Sequence, residues 1–281
     1  MQTESATTSA DIGRAQGETL PRKKSSRGAA YFEAGKGDVL VLIHGVGMRL
    51  EAWAPQIEQF SKTHRVIAVD MPGHGESERL PAGSAIPDFV AWLGRFLGDL
   101  NLNRVSLAGH SMGAMISGGA VASFPRLIAR VACLNGVYRR DRQAKAAVLA
   151  RAEAIRAAGI DKEGPLARWF DDEPNNRQAR DLTRTWLEQV DPEGYAAAYT
   201  AFAGGDEAYA DCWPSVACPA LFLTASGDPN STPEMARAMA AAAPKGWARI
   251  IEGHRHMVNL TAPDAVNAFL AEWLVAEERP A

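Results

Sequence analysis

The chain has 281 residues, 47% of them hydrophobic and 22% charged, with a formal net charge of −3. That length suits one large α/β domain, or one domain carrying an insertion, and the apolar content permits a sizeable core. So small a net charge excludes a global pull towards nucleic acid or an anionic membrane, and no apolar run is long enough to span a bilayer. The N-terminus lacks the apolar stretch of a signal peptide. Cys133, Cys212 and Cys218 show no metal-ligand spacing, so a cytoplasmic protein with free thiols is expected.

Residues 1–27 are rich in Ser, Thr, Ala and Gln, then basic through Arg22-Lys23-Lys24 and Arg27. Without an apolar period they read as a disordered, solvated tail, whose basic cluster is the one feature a polyanion could use. Tyr31-Phe32 begins the folded part as a short strand, and Val39 to Ile43 is a continuous β-branched and aliphatic run. Such a run is a strand covered on both faces, as in a parallel sheet. The pattern recurs at Val66 to Val69, Val105 to Ala108, Val131 to Leu134, Ala220 to Thr224 and Arg249 to Ile251. Helices are expected between these runs, at Asp88 to Leu100, Met112 to Ser123, Pro233 to Ala242 and Pro263 to Ala276. Strand and helix in alternation predict a doubly wound, mostly parallel sheet. From 138 to 213 the rhythm breaks, leaving only helix formers such as Arg142 to Ala157 and Asp181 to Val190. That excursion predicts a helical cap inserted between a first core part, 28–137, and a second, 214–281. Trp169, Trp186 and Trp213 either pack it onto the sheet or line a pocket.

Chemistry concentrates at Gly109-His110-Ser111-Met112-Gly113. An apolar strand precedes it and a small-residue helix follows, so Ser111 stands at the apex of a tight turn. The Met112 N–H, at a helix start, has no intrahelical partner and faces the place where an oxyanion would form. The spacing G-x-S-x-G in this context resembles the nucleophile turn of the α/β-hydrolase superfamily.

That resemblance implies an acid after the strand that follows the cap, and a histidine after the last strand. Asp228, closing Phe222-Leu223-Thr224-Ala225-Ser226-Gly227-Asp228, is in place as the acid. Of His254 and His256, only His256 has the family's spacing to the helix-opening Pro263, with Thr261 where a Glu is usual. The order Ser111, Asp228, His256 is the superfamily's order. It also makes His44-Gly45-Val46-Gly47 the loop whose Val46 N–H is the second oxyanion donor. Asp70-Met-Pro-Gly-His-Gly-Glu-Ser77 reads as a structural loop, with Asp70 and Ser77 bonding its backbone and His74 a loop residue.

Within the superfamily the chain is most similar to 3-oxoadipate enol-lactonases and their relatives, through Leu134-Asn-Gly-Val-Tyr-Arg139, Arg168-Trp-Phe170 and Asp191-Pro-Glu-Gly-Tyr-Ala196. Where those enzymes have Gly-Leu-Ser-Met-Gly-Gly, this chain has Gly-His-Ser-Met-Gly-Ala. The likeness implies a serine hydrolase that cleaves a small ester or lactone, in catabolism of aromatic or other carboxylated compounds, with no metal or cofactor. A substrate carboxylate would need a cation, and Arg139 and Arg168 are the candidates, with Trp169 beside them in the pocket. The competing view is an apolar pocket around Trp169 and Phe170 for neutral acyl chains. The same triad also serves C–C bond hydrolysis of the meta-cleavage type, cofactor-free haloperoxidase or perhydrolase chemistry, or a ligand receptor built on the fold.

Overall fold

A computed structural model describes residues 19–276. Among these, eight strands form one sheet in the order β1-β2-β4-β3-β5-β6-β7-β8. The strands are β1 (Lys23–Lys24), β2 (Ala30–Ala34), β3 (Val39–Ile43), β4 (Arg65–Val69), β5 (Val105–His110), β6 (Ile128–Leu134), β7 (Ala220–Ala225) and β8 (Gly246–Ile251). β1 and β2 run antiparallel to their neighbours, and the rest of the sheet is parallel. The fold is therefore the doubly wound sheet that the apolar runs predicted.

Ten α-helices accompany these strands among the described residues: α1 (Ala54–Phe60), α2 (Ile86–Asp99), α3 (Met112–Ser123), α4 (Arg142–Ala158), α5 (Glu163–Trp169), α6 (Arg177–Gln189), α7 (Pro192–Gly204), α8 (Pro233–Ala242), α9 (Val258–Thr261) and α10 (Pro263–Leu274). Side chains alternate across β3, so its two sets enter two different cores. Val41 and Ile43 join Phe89 and Leu93 of α2 and Ile116 of α3. Leu40 and Leu42 join Ile57 and Phe60 of α1 and Leu270 and Trp273 of α10. With both faces covered, polar alternation vanishes, which is why these strands read as unbroken apolar runs.

Between β6 and β7 the chain forms only helices and short turns, α4 to α7. Asp141 and Asp191 start α4 and α7, their carboxylates accepting the Ala144 and Gly194 N–H at 2.7 and 2.6 Å. The last strand starts at Gly246, three residues earlier than the apolar run at Arg249 suggests, because pairing with β7 extends back to Ala220↔Gly246.

One expectation fails at the N-terminus. The expected tail spans 1–27, of which 1–18 lie outside the described residues. From residue 19 onwards the chain is ordered: Leu20 is buried, β1 pairs with β2, and Arg22 forms ion pairs with Glu51 and Asp70. Lys23 pairs with Glu33, and Arg27 with Asp99. The segment carries almost no apolar pattern because charge pairing, rather than an apolar stripe, fastens it to the core.

Candidate active site

The C-terminal ends of the parallel strands all point the same way, so the loops leaving β3, β5, β6, β7 and β8 gather at one edge, where ligands of such sheets bind. Ser111 leaves β5 with φ 55° and ψ −116°, and α3 begins at the next residue. The turn is this tight only because Gly109 and Gly113 lack side chains. A Cβ on Gly109 would lie 2.1 Å from the Gly113 carbonyl oxygen, and one on Gly113 would lie 2.3 Å from that of Ile43.

Asp228 follows β7 and His256 follows β8; Asp228 reaches His256, and His256 reaches Ser111. The His256 Nδ1–H donates to Asp228 Oδ2 at 2.7 Å, and Nε2 lies 3.0 Å from Ser111 Oγ. With Nδ1 committed to the carboxylate, Nε2 is left to accept the serine proton, which is the tautomer a general base requires. Asp228 is buried, which opposes its charge. The His256 imidazole, the Asn135 amide at 2.8 Å and the Asn230 N–H at 2.8 Å outweigh that, so its carboxyl sits below the usual aspartate value. The N–H groups of Val46 and Met112 have no hydrogen-bond partner among the described residues, and Val46 lines the same cavity as Ser111 and His256. Free donors beside a serine are what an oxyanion needs.

Buried neutral histidines brace this edge. His44 Nδ1–H donates to the Gly45 carbonyl at 2.8 Å, and its Nε2 accepts the Met71 N–H at 2.9 Å. His74 Nδ1–H donates to the Pro72 carbonyl at 3.1 Å, while its Nε2 accepts the Gly47 N–H at 2.9 Å and so ties its own loop to the Val46 loop. Asp70 and Ser77 bond loop backbone as expected: Asp70 accepts from Leu50 and Glu76, and Ser77 Oγ donates to the Asp70 carbonyl. His254, passed over as base, has its Nδ1 3.1 Å from Thr261 Oγ1 and lies away from the serine. Cys133, the other nucleophile nearby, is buried, and burial pushes its thiol up out of reach of ionisation.

A cavity of about 400 Å³ opens over Ser111 and His256. α4, α5 and α7 contribute its far wall. Trp169 stacks on the His256 ring, centroids 5.8 Å apart. Three guanidinium groups line the space: Arg140, Arg151 and Arg168. Arg168 is half-buried with no ion pair or hydrogen bond to any described residue, and burial followed by the nearby Arg151 charge lowers its pKa. Arg140 is buried; it pairs with Asp206 and stacks on Phe202, but its Nη2 has no partner. Arg151 Nε donates to the Tyr199 hydroxyl at 3.1 Å. The cavity is therefore electropositive without a matching set of acids, since the Asp141 carboxylate in its wall is committed to the start of α4.

Of the residues singled out from sequence, Ser111, Asp228, His256, Val46, Met112, Arg168 and Trp169 meet here. Arg139 does not. Its backbone is left-handed (φ 45°), its side chain points outward to Asp211, and the adjacent Arg140 takes the inward place. Asn135 and His110 have no role in the sequence pattern alone. Asn135 orients Asp228, and the His110 Nε2–H donates to the His256 carbonyl at 2.8 Å, fixing the histidine loop from the end of β5. The available signal for His110 was the Gly-His-Ser departure from Gly-Leu-Ser.

A model of the alpha/beta hydrolase family matches residues 40–269. The chain belongs to that family, and it is a hydrolase. It is 52% identical over 250 residues to an (E)-2-((N-methylformamido)methylene)succinate hydrolase of Acinetobacter baylyi, covering 89% of this chain and 95% of that one. Among solved structures it resembles a thermophilic esterase from Thermogutta terrifontis, with TM-score 0.82, 25% identity and 91% and 98% of the two chains covered. It also resembles an enol-lactonase from Burkholderia xenovorans, with TM-score 0.80, 26% identity and 91% and 100% covered.

Proposed function

We propose that this protein hydrolyses an acyl bond in a small dicarboxylate through a Ser111 acyl-enzyme, the preferred substrate being an N-formyl enamine of a succinate, with carboxylated enol-lactones close behind. The observation that carries the reading is the bonded series Asp228–His256–Ser111 opening into a cavity lined by three guanidinium groups, of which Arg151 and Arg168 have no acidic partner among the described residues and Arg140, paired with Asp206, keeps a free Nη2. The named substrate of the 52%-identical relative supports it, since a succinate bears two carboxylates.

In the reaction, Ser111 Oγ adds to the carbonyl carbon as its proton passes to His256 Nε2. Charge gathers on the carbonyl oxygen, where the Val46 and Met112 N–H groups receive it; one such donor is worth about 3–4 kcal/mol in the transition state. Asp228 stabilises the imidazolium. As the tetrahedral intermediate collapses, His256 returns the proton to the leaving nitrogen or enol oxygen. In an enamine conjugated to a carboxylate, the nitrogen lone pair is already delocalised, so this departure is easy for an amide. Water then adds to the acyl-serine with His256 as base, releasing the acid. Guanidinium groups beside the serine hold the carboxylates through charge-assisted bonds.

No helix among the described residues is long and apolar enough to cross a membrane, and we place the enzyme in the cytoplasm, with a small molecule as its partner. The test is a panel of an N-formyl enamine succinate, small enol-lactones with and without carboxylates, and p-nitrophenyl acetate to octanoate. Carboxylated substrates should lead neutral analogues by about 10- to 150-fold in kcat/KM, the worth of one charge-assisted bond. Higher activity on a neutral butyrate or hexanoate ester than on every carboxylated compound would overturn the substrate class.

A further inference from the structure

One buried charge cluster stands outside the chemistry above. The Arg22 side chain is 2% exposed and lies between two buried carboxylates. Its Nη1 and Nη2 donate to the two oxygens of Glu51, Nη2–Oε2 being 2.7 Å, and its Nε donates to Asp70 Oδ2 at 3.1 Å. Glu51 lies in the short helical turn Leu50–Trp53, which directly follows the loop carrying Val46. It also accepts the Leu20 N–H and Arg49 Nε, each at 2.8 Å. Asp70 opens the loop carrying His74, and its oxygens accept the Leu50 N–H at 2.9 Å and the Glu76 N–H at 3.1 Å. His74 in turn accepts the N–H of Gly47, the residue after Val46. The guanidinium thus meets the Val46 loop along two routes, one through Glu51 and Leu50, the other through Asp70 and His74.

We infer that Arg22 is a positioning residue for the oxyanion hole: by holding Glu51 and Asp70 together, it sets the place of the Val46 N–H. The inference rests on the acyl-enzyme reading of the site. Two carboxylates buried side by side repel one another unless a cation separates them. Although burial opposes its charge, the bonds and charges of Glu51 and Asp70 keep Arg22 protonated above the usual arginine value. A planar fork bonds Glu51 through two nitrogens and Asp70 through a third in fixed directions, a geometry that the single nitrogen of a lysine ammonium reproduces only in part. An oxyanion donor acts over a narrow range, about 2.7–3.1 Å from the developing charge. A small loop displacement therefore weakens the transition state and leaves ground-state binding at Arg140 and Arg168 as it was.

The experiment compares wild type, R22K, R22M and S111A with p-nitrophenyl acetate and with a fluorophosphonate, counting active sites by the phosphonate label. R22M should lose about 10- to 100-fold in kcat per labelled site, somewhat less than deletion of a whole donor. Its KM should stay within about twofold, and a boronic acid, which forms a tetrahedral serine adduct, should weaken by a comparable factor. Inhibition by succinate, which needs only the cavity arginines, should not change, and R22K should recover part of the loss. If R22M fails to fold, R22M/E51Q removes one of the two buried carboxylates, and with it their mutual repulsion, and is read in the same way, with R22K beside it. A lower melting temperature with kcat per site unchanged would make Arg22 a stabilising residue only and overturn the inference. So would a rise in KM at constant kcat. Turnover retained in S111A would overturn the acyl-enzyme reading itself, which separates the two failures.

Discussion

Acidification from pH 7 to pH 5 should destabilise this protein far more than its balanced charge suggests. His44, His74 and His110 are wholly buried and neutral. His44 and His74 each use one ring nitrogen as acceptor for a backbone N–H, a role that protonation abolishes. Burial is the largest cause in each case: it lowers His44 well below the ordinary value, His74 to about 4 and His110 to about 3, with the charge of His256 adding to the effect at His110. An unfolded histidine titrates near 6.5. Below that value the unfolded chain binds more protons than the folded one. The stability contributed by each group is therefore present in full above about pH 6.5 and lost as the pH falls towards the folded values. Between pH 7 and 5 the loss is about 2 kcal/mol for each of His74 and His110, and His44 adds to it in the same direction. A typical folded protein has only about 5–15 kcal/mol in total. Urea unfolding at pH 7, 6 and 5 would measure the loss, and calorimetry in buffers of different ionisation enthalpy would count the protons. Unfolding at pH 5 should take up nearly three protons on account of these side chains. Stability at pH 5 within about 1 kcal/mol of that at pH 7, with uptake of one proton or fewer, would refute the reasoning.

Ser111→Ala should abolish ester turnover and phosphonate labelling while a thermal melt barely moves, because the hydroxyl contributes little to the core; labelling at another residue would reassign the nucleophile. His256→Ala should lower kcat by several orders of magnitude, whereas His254→Ala, which loses only its contact with Thr261, should do much less; equal damage would mean the wrong base. Asn135→Gly tolerates the left-handed backbone (φ 49°) yet deletes the amide bonded to Asp228. Its kcat should fall by about 10- to 150-fold, the worth of a bond to a charged group, and unchanged kinetics would remove Asn135 from the site. Arg168→Gln and Arg140→Gln should reduce kcat/KM for carboxylated substrates and spare p-nitrophenyl acetate, while Arg139→Gln should affect neither. Equal loss on both substrates would point to packing by the arginine stems.

The chain's order of apolar runs, its G-x-S-x-G turn and the spacing from His256 to Pro263 are local patterns, and they suffice to read the sheet, its helices and the candidate triad. A strand buried on both faces must be apolar throughout, and a serine lifted on a tight turn needs glycine on each side, so both leave their mark within a few residues. Other features depend on which distant groups meet, and no local pattern records that. Arg139 and Arg140 are neighbours of one residue type, and only the left-handed backbone at Arg139 turns one outward to Asp211 and the other into the cavity. Arg151 looks like any arginine on an amphipathic helix until α4 is laid over the serine. Arg22 sits in a stretch with the composition of a solvated tail, yet Glu51 and Asp70, 29 and 48 residues further on, bury it. Apolar burial repeats with the period of its helix or strand and can be read from the sequence. Buried charge is paired one group at a time across the fold, so only the tertiary structure decides where it goes.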